Sequence, residues 1–144
     1  MSSKMCGSTG AEVRSVRWII DGNNVMGAGA DGWWNDPAGA AAELTQRIAL
    51  WCRKHESDRV LLVFDGRPVA QVAVLAGGNL EVEFAPARKR DAADDLIVTR
   101  VEELFVEPEL TVVTSDKGLV GRLPPGVAVR SSGSFRRAEL ALGR

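Results

Sequence analysis

The sequence predicts an α/β domain with a central, mainly parallel sheet of about five strands and helices on both faces. Short apolar runs recur, and each ends at an acid. Ile19-Ile20 stops at Asp21, Leu61-Leu62-Val63-Phe64 stops at Asp65, and Leu110 to Ser115 leads into Asp116. Such runs read as buried strands that deliver a carboxylate to the sheet edge. Segments of helical periodicity separate them, and alternating strands and helices give a parallel sheet covered on both sides.

The elements follow in order. Residues 16–20 form the first strand, and a glycine-rich loop with Gly22, Gly27, Gly29 and Gly32 comes next, ending in Trp33-Trp34. Asp36-Pro37 is a helix start, an acid at the N-cap and proline at the first helical position. That helix runs to about Lys54, with Leu44, Ile48 and Trp51 on one face. Residues 59–64 are the second strand. Residues 68–76 read equally as a short helix or a strand. From Leu80 to Phe84 apolar residues alternate with Glu81 and Glu83, which suits an edge strand with one wet face. Asp91 is placed to cap a helix over 92–105, residues 110–114 are the fourth strand, and 117–122 a short helix. After the Pro124-Pro125-Gly126 turn come a fifth strand over 127–130 and a last helix capped by Ser134.

Length and composition set the bounds. With 144 residues, 45% of them apolar, the chain is one domain able to bury a sizeable core without staples. Residues 1–15 are small and polar and read as a flexible tail, leaving 16–144 as the folded unit. Eighteen Lys and Arg against nineteen Asp and Glu give a net charge of −1, so any nucleic-acid partner must be held by local patches. Two cysteines, Cys6 and Cys52, make neither a disulfide framework nor a metal spacing, and Cys52 reads as a small buried hydrophobe. Low cysteine usage and the lack of any apolar stretch near 20 residues point to a cytoplasmic protein with no membrane contact.

Ligands of open α/β sheets bind beyond the carboxyl ends of the strands. Asp21 and Asp116 end two of them, and Asp94 and Asp95 lie in the first turn of a helix. Ala93, Ile97, Val101 and Leu104 mark that helix's core face, so Asp94 turns inward over the sheet mouth while Asp95 points nearly opposite, to the rim. On the rim it would favour the helix N-terminus or hold a water on an ion. Two carboxylates at about 4–5 Å repel by about 3–4 kcal/mol at an effective dielectric near 20. A cluster of them implies a cation. Oxygen donors without a cysteine or histidine cluster favour Mg²⁺ or Mn²⁺ over zinc. The single histidine, His55, reads as an exposed residue rather than a ligand. Asp65 reads equally as a rim acid or a turn-former before Gly66, and Ser115 as a helix cap.

At this point the residues match a family. Ile19-Ile20-Asp21-Gly22-Asn23-Asn24-Val25, Asp91-Ala92-Ala93-Asp94-Asp95-Leu96-Ile97 and Val113-Thr114-Ser115-Asp116 resemble the three core motifs of NYN domains, the YacP-like group in particular. The likeness runs from about Arg17 to the C-terminus and implies a PIN-like three-layer fold and a metal-dependent endoribonuclease. By the same resemblance Asp21, Asp94 and Asp116 are metal ligands, Asn24 positions the site, and Asp95 completes the catalytic set. Some relatives carry a further acid four residues beyond the third-motif aspartate. Here that position is Val120, which supports the alternative of a catalytically weak or inactive RNA-binding module.

Positive charge for the phosphates comes from Arg67, from Arg88, Lys89 and Arg90, and from Arg130, Arg136 and Arg137. Trp33 is the candidate stacking platform, with Trp34 expected to pack under the loop. The partner implied is RNA, single-stranded or structured, in messenger or ribosome-associated form, met by a monomer or weak homodimer. Two other acid-bearing α/β folds fit less well. A phosphoacceptor receiver needs a lysine where Arg130 ends the fifth strand, and a dehalogenase-type phosphatase needs a second aspartate where Asn23 stands. Dinucleotide binding lacks its glycine fingerprint.

Overall fold

A computed structural model describes residues 15–29, 32–86, 91–105 and 109–142. Five strands, β1 (Arg17–Asp21), β2 (Arg59–Asp65), β3 (Leu80–Ala85), β4 (Leu110–Val113) and β5 (Ala128–Arg130), form one parallel sheet in the order β3-β2-β1-β4-β5. The chain builds outward from β1 through β2 to β3, then crosses back to add β4 on the other side of β1. That reversal leaves a crevice above the carboxyl ends of β1 and β4, where α/β sheets bind ligands.

Side chains alternate across the strands and divide the core into two layers. Trp18 and Ile20 pack with Leu44, Ile48 and Trp51 of α2 (Pro37–Arg53) and with Phe135 of α6 (Ser132–Ala138). The Trp51 ring meets both Trp18 and Phe135 edge-on, at centroid distances of 5.1 and 5.2 Å. On the other face Ile19, Leu61, Val63 and Val112 pack against Ala93, Ile97 and Val101 of α4 (Ala92–Leu104) and Leu119 of α5 (Lys117–Val120). The anticipated core face of α4 is buried as its periodicity requires, and Cys52 is buried and free. Beneath the sheet's amino edge, Asp58 accepts from the Val16 N–H and from Trp18 Nε1, pinning the entry to β1. No helix among the described residues is long and apolar enough to cross a membrane.

Several local expectations are corrected. The glycine-rich segment after β1 begins as a helix, α1 (Gly22–Gly27), whose N-cap is Asp21 itself. A 3₁₀ turn spans Trp33–Asn35, and the ambiguous 68–76 segment contains a single short helix, α3 (Ala70–Ala73). Asp91 makes no side-chain capping bond. The last helix is capped by Ser131, whose hydroxyl accepts from the Ser134 N–H, so Ser134 lies inside it rather than at its start. β3 is the edge strand foreseen, its Glu83 held by the Arg100 guanidinium at 2.8 Å.

Candidate active site

Asp21 ends β1 in the same alternating phase as Ile19, so its carboxylate emerges on the α4 face of the sheet. It is 5% exposed. One oxygen accepts from the Thr114 hydroxyl at 2.8 Å, and the other takes the Asn24 N–H at 3.4 Å. Thr114, itself buried, also accepts from the Asp116 N–H at 3.1 Å, so one hydroxyl ties the first acid to the backbone of the last. Burial pushes the Asp21 pKa up from 3.8 to about 6, with smaller upward contributions from Asp116 and Asp65 and opposition from the two hydrogen bonds.

Asp94 projects from the first turn of α4 toward the same point. Burial raises its pKa to about 6, followed by the charges of Asp21, Asp116, Asp91 and Asp65 in that order. The inward placement derived from helical phase agrees with this ranking. Asp95 pairs with Arg122 at 2.9 Å, on the rim. Asp116 caps α5, one carboxylate oxygen accepting from the Gly118 and Leu119 N–H groups, which leaves its second oxygen for the crevice.

Three supporting residues carry more than sequence alone suggested. Asp65 neither merely turns the chain nor stands free on the rim. Its Oδ1 accepts from the Ala93 N–H at 3.0 Å, so it supplies the capping bond of α4 expected from Asp91 and thereby fixes the pitch of Asp94. Ser115 is not a cap for the following helix. Its hydroxyl accepts from the Ser132 N–H and fastens α6 to the β4 exit. Asn24 Oδ1 accepts from both the Ser115 N–H and the fully buried Ser132 hydroxyl. Thr114 and Ser132 had no assigned role; Thr114 offered the signal of a hydroxyl next to an acid motif and Ser132 offered none, and their partners lie 93 and 108 residues away.

Truncating Asn24 to Ala leaves the Ser132 hydroxyl without its acceptor, and we expect a loss of about 1–3 kcal/mol in denaturant unfolding. Unchanged stability would show that the amide does not join α1, β4 and α6.

The basic residues divide. Arg67 is exposed just beyond the β2 carboxyl end. Arg88, Lys89 and Arg90 lie outside the described residues. Arg130 is committed to Glu139 at 3.0 Å and lies over the Trp18 ring, so it is a structural residue rather than a phosphate contact. Arg136 is half-buried on α6 and donates to the Val25 carbonyl, while Arg137 is exposed. Of the two tryptophans, Trp34 does not pack under the loop as expected. Trp34 is 59% exposed, and Trp33 is half-buried against the α2-side core. His55 lies against Trp51, its ring tilted, at the opposite, amino edge of the sheet, remote from the candidate acids.

Among the described residues, no three His, Cys, Asp or Glu side chains already stand as a metal-binding group. The donor chemistry still fits a hard divalent ion: all the converging groups are carboxylates, and like-charge repulsion among Asp21, Asp94 and Asp116 is what a cation relieves.

Comparison with known proteins places this geometry. No curated protein matches the chain. Two crystal structures of Rae1 (YacP) from Bacillus subtilis are similar in fold. One, at 22% identity, covers 86% of this chain and 72% of its own with a TM-score of 0.66. The W164L mutant, at 24% identity, covers 88% and 72% with a TM-score of 0.62. The family model described as the YacP-like NYN domain matches residues 18–123, most of the sheet and all four acids Asp21, Asp94, Asp95 and Asp116. The chain therefore belongs to the YacP-like NYN domain family, within the PIN-like ribonuclease superfamily.

Proposed function

We propose that the protein is a metal-dependent endoribonuclease, hydrolysing RNA phosphodiester bonds at the crevice above β1 and β4. The observation that carries the reading is the convergence of Asp21, Asp94 and Asp116 from two strand ends and a helix turn upon one buried carboxylate. Asp21, Asp94 and the second oxygen of Asp116 would hold Mg²⁺ or Mn²⁺, with a side-chain rotation bringing the three together. Such an ion, when bound, neutralises charge on the phosphodiester and makes a water nucleophilic near neutral pH.

The chain's own residues do the positioning. Thr114 fixes the Asp21 carboxylate, Asp65 fixes the α4 terminus that carries Asp94, and Asn24 locks α1 to the β4 exit. Arg67 stands at the same edge, where it would meet a phosphate of a single-stranded segment. No side-chain nucleophile is required.

A cytoplasmic messenger or ribosome-bound RNA is the substrate class this reading favours. A second reading, an RNA-binding module without turnover, is favoured by Val120, a 37% exposed apolar residue on α5 where an acid would add to the cluster. Incubating the purified chain with a labelled RNA pool, with EDTA or with Mn²⁺, separates them. Cleavage that appears only with the ion is the expected result. Cleavage undiminished by exhaustive chelation would remove the metal, and retention of RNA with no cleavage in either condition would favour the second reading.

A further inference from the structure

A cavity of about 390 Å³ opens beside the acids, on the opposite face of the same sheet edge, and its volume is in the range of small-ligand sites. Its walls are apolar: Met26 of α1, Ala38 and Ala41 of α2, Val69, and the Phe64 and Phe84 rings, which lie nearly parallel at 6.2 Å. Phe64 reaches under the start of α1, where a Cβ on Gly22 would come within 2.6 Å of its ring. The slot floor therefore adjoins the residue that follows Asp21.

The mouth is polar and of defined sense. Asn23 Oδ1 accepts from the Asp65 N–H at 2.7 Å, which leaves the Asn23 amide nitrogen as a donor. Asp65 gives Oδ1 to α4 and keeps Oδ2 as an acceptor. Arg67 is exposed on the same rim. Asn23 and Asp65 thus stand between the slot and the acids in the chain's connectivity: Asn23 is next but one to Asp21, and Asp65 bonds the α4 terminus that carries Asp94.

We propose that this slot is a nucleobase subsite, which receives the base next to the cleaved phosphodiester. An anion is a poor occupant, because the walls are apolar and a carboxylate stands at the mouth. A flat neutral ring fits the aromatic floor. A donor beside an acceptor, present on the pairing edge of each of the four bases, matches the Asp65 acceptor and Asn23 donor. The inference rests on the RNA-cleaving reading only for its position relative to the cut bond.

The test uses the full chain, methyl-labelled, titrated with each of the four nucleoside 5′-monophosphates and with ribose 5-phosphate. The nucleotides should shift the methyl signals of Met26, Ala38, Ala41 and Val69, and ribose 5-phosphate should leave them in place. Ala38→Phe, and independently Val69→Trp, fill the slot from its partly exposed walls. Each should abolish those shifts and raise the KM for RNA cleavage by about tenfold, the worth of one lost contact. Shifts reproduced by ribose 5-phosphate would overturn base recognition. Cleavage with an unaltered KM in both filled variants would overturn the subsite and leave the nuclease reading standing. Shifts that need the base, with no cleavage of any RNA, would uphold the subsite and defeat the nuclease reading.

Discussion

Asp21→Asn is expected to remove RNA cleavage and, without divalent ion, to make the protein more stable. The activity loss follows from removing the most central donor. Metal stabilisation of the transition state is worth several kcal/mol, so the rate should fall by on the order of 10³-fold or more. The stability gain follows from burial. The Asp21 pKa stands at about 6 in the folded protein against 3.8 ordinarily, and two units of upward shift correspond to about 3 kcal/mol as an upper figure. A raised carboxylate pKa makes its contribution fully present below about pH 4 and lost as pH rises through about 6. The wild-type protein in EDTA should therefore lose stability over that window, and the Asn variant should lose less. Asp94 titrates in the same direction in both proteins. Urea unfolding at pH 4 and pH 7.5 measures the difference, which should widen at the higher pH. Mn²⁺ should narrow it by stabilising only the wild type. An Asn variant less stable than wild type at pH 7.5 would show that Asp21 serves the fold as a paired, well-solvated acid.

The sheet and its acids were legible in the sequence because both obey local rules. Continuous apolar runs, buried on both faces, define the central strands, and the phase of Ala93, Ile97 and Val101 is enough to turn Asp94 inward. What escaped reading depends on partners far along the chain. α1 is built from Gly22, Asn23, Asn24 and Gly27, all poor helix formers, and exists because Asp21 caps it and Val25 and Met26 are buried. Asp91 looked like the cap of α4 by adjacency, yet the bond comes from Asp65, 28 residues away from the N–H it accepts. Ser131 and Ser134 are both polar residues before a helical run, and only the folded backbone distinguishes cap from first-turn residue. For Trp33 and Trp34, a loop without periodicity offered no phase to decide which ring is buried. The nucleobase slot was invisible for a related reason: its walls come from β2, β3, α1 and α2, and no local motif joins them.

Neighbouring Asp94 and Asp95 should respond very differently to the same substitution. Asp94 faces Asp21 and Asp116, and its carboxylate is destabilised by burial and by their charges. Asp95 is one residue on, about 100° around the helix, and is paired with Arg122 in a bridge whose side chains are 36% and 42% exposed. An exposed pair of this kind contributes about 0–1 kcal/mol. Asp94→Asn should therefore abolish cleavage, by about 10²–10³-fold or more on the scale of lost transition-state electrostatics, while leaving the metal-free fold as stable or more so. Asp95→Asn should weaken cleavage modestly and change stability by no more than the bridge is worth. Initial cleavage rates at saturating Mn²⁺, beside urea unfolding of each variant in EDTA, give both quantities. Equal residual rates would contradict the assignment from helical phase. A larger loss at Asp95 would transfer the inner ligand role to it and require Arg122 to release it when the ion binds.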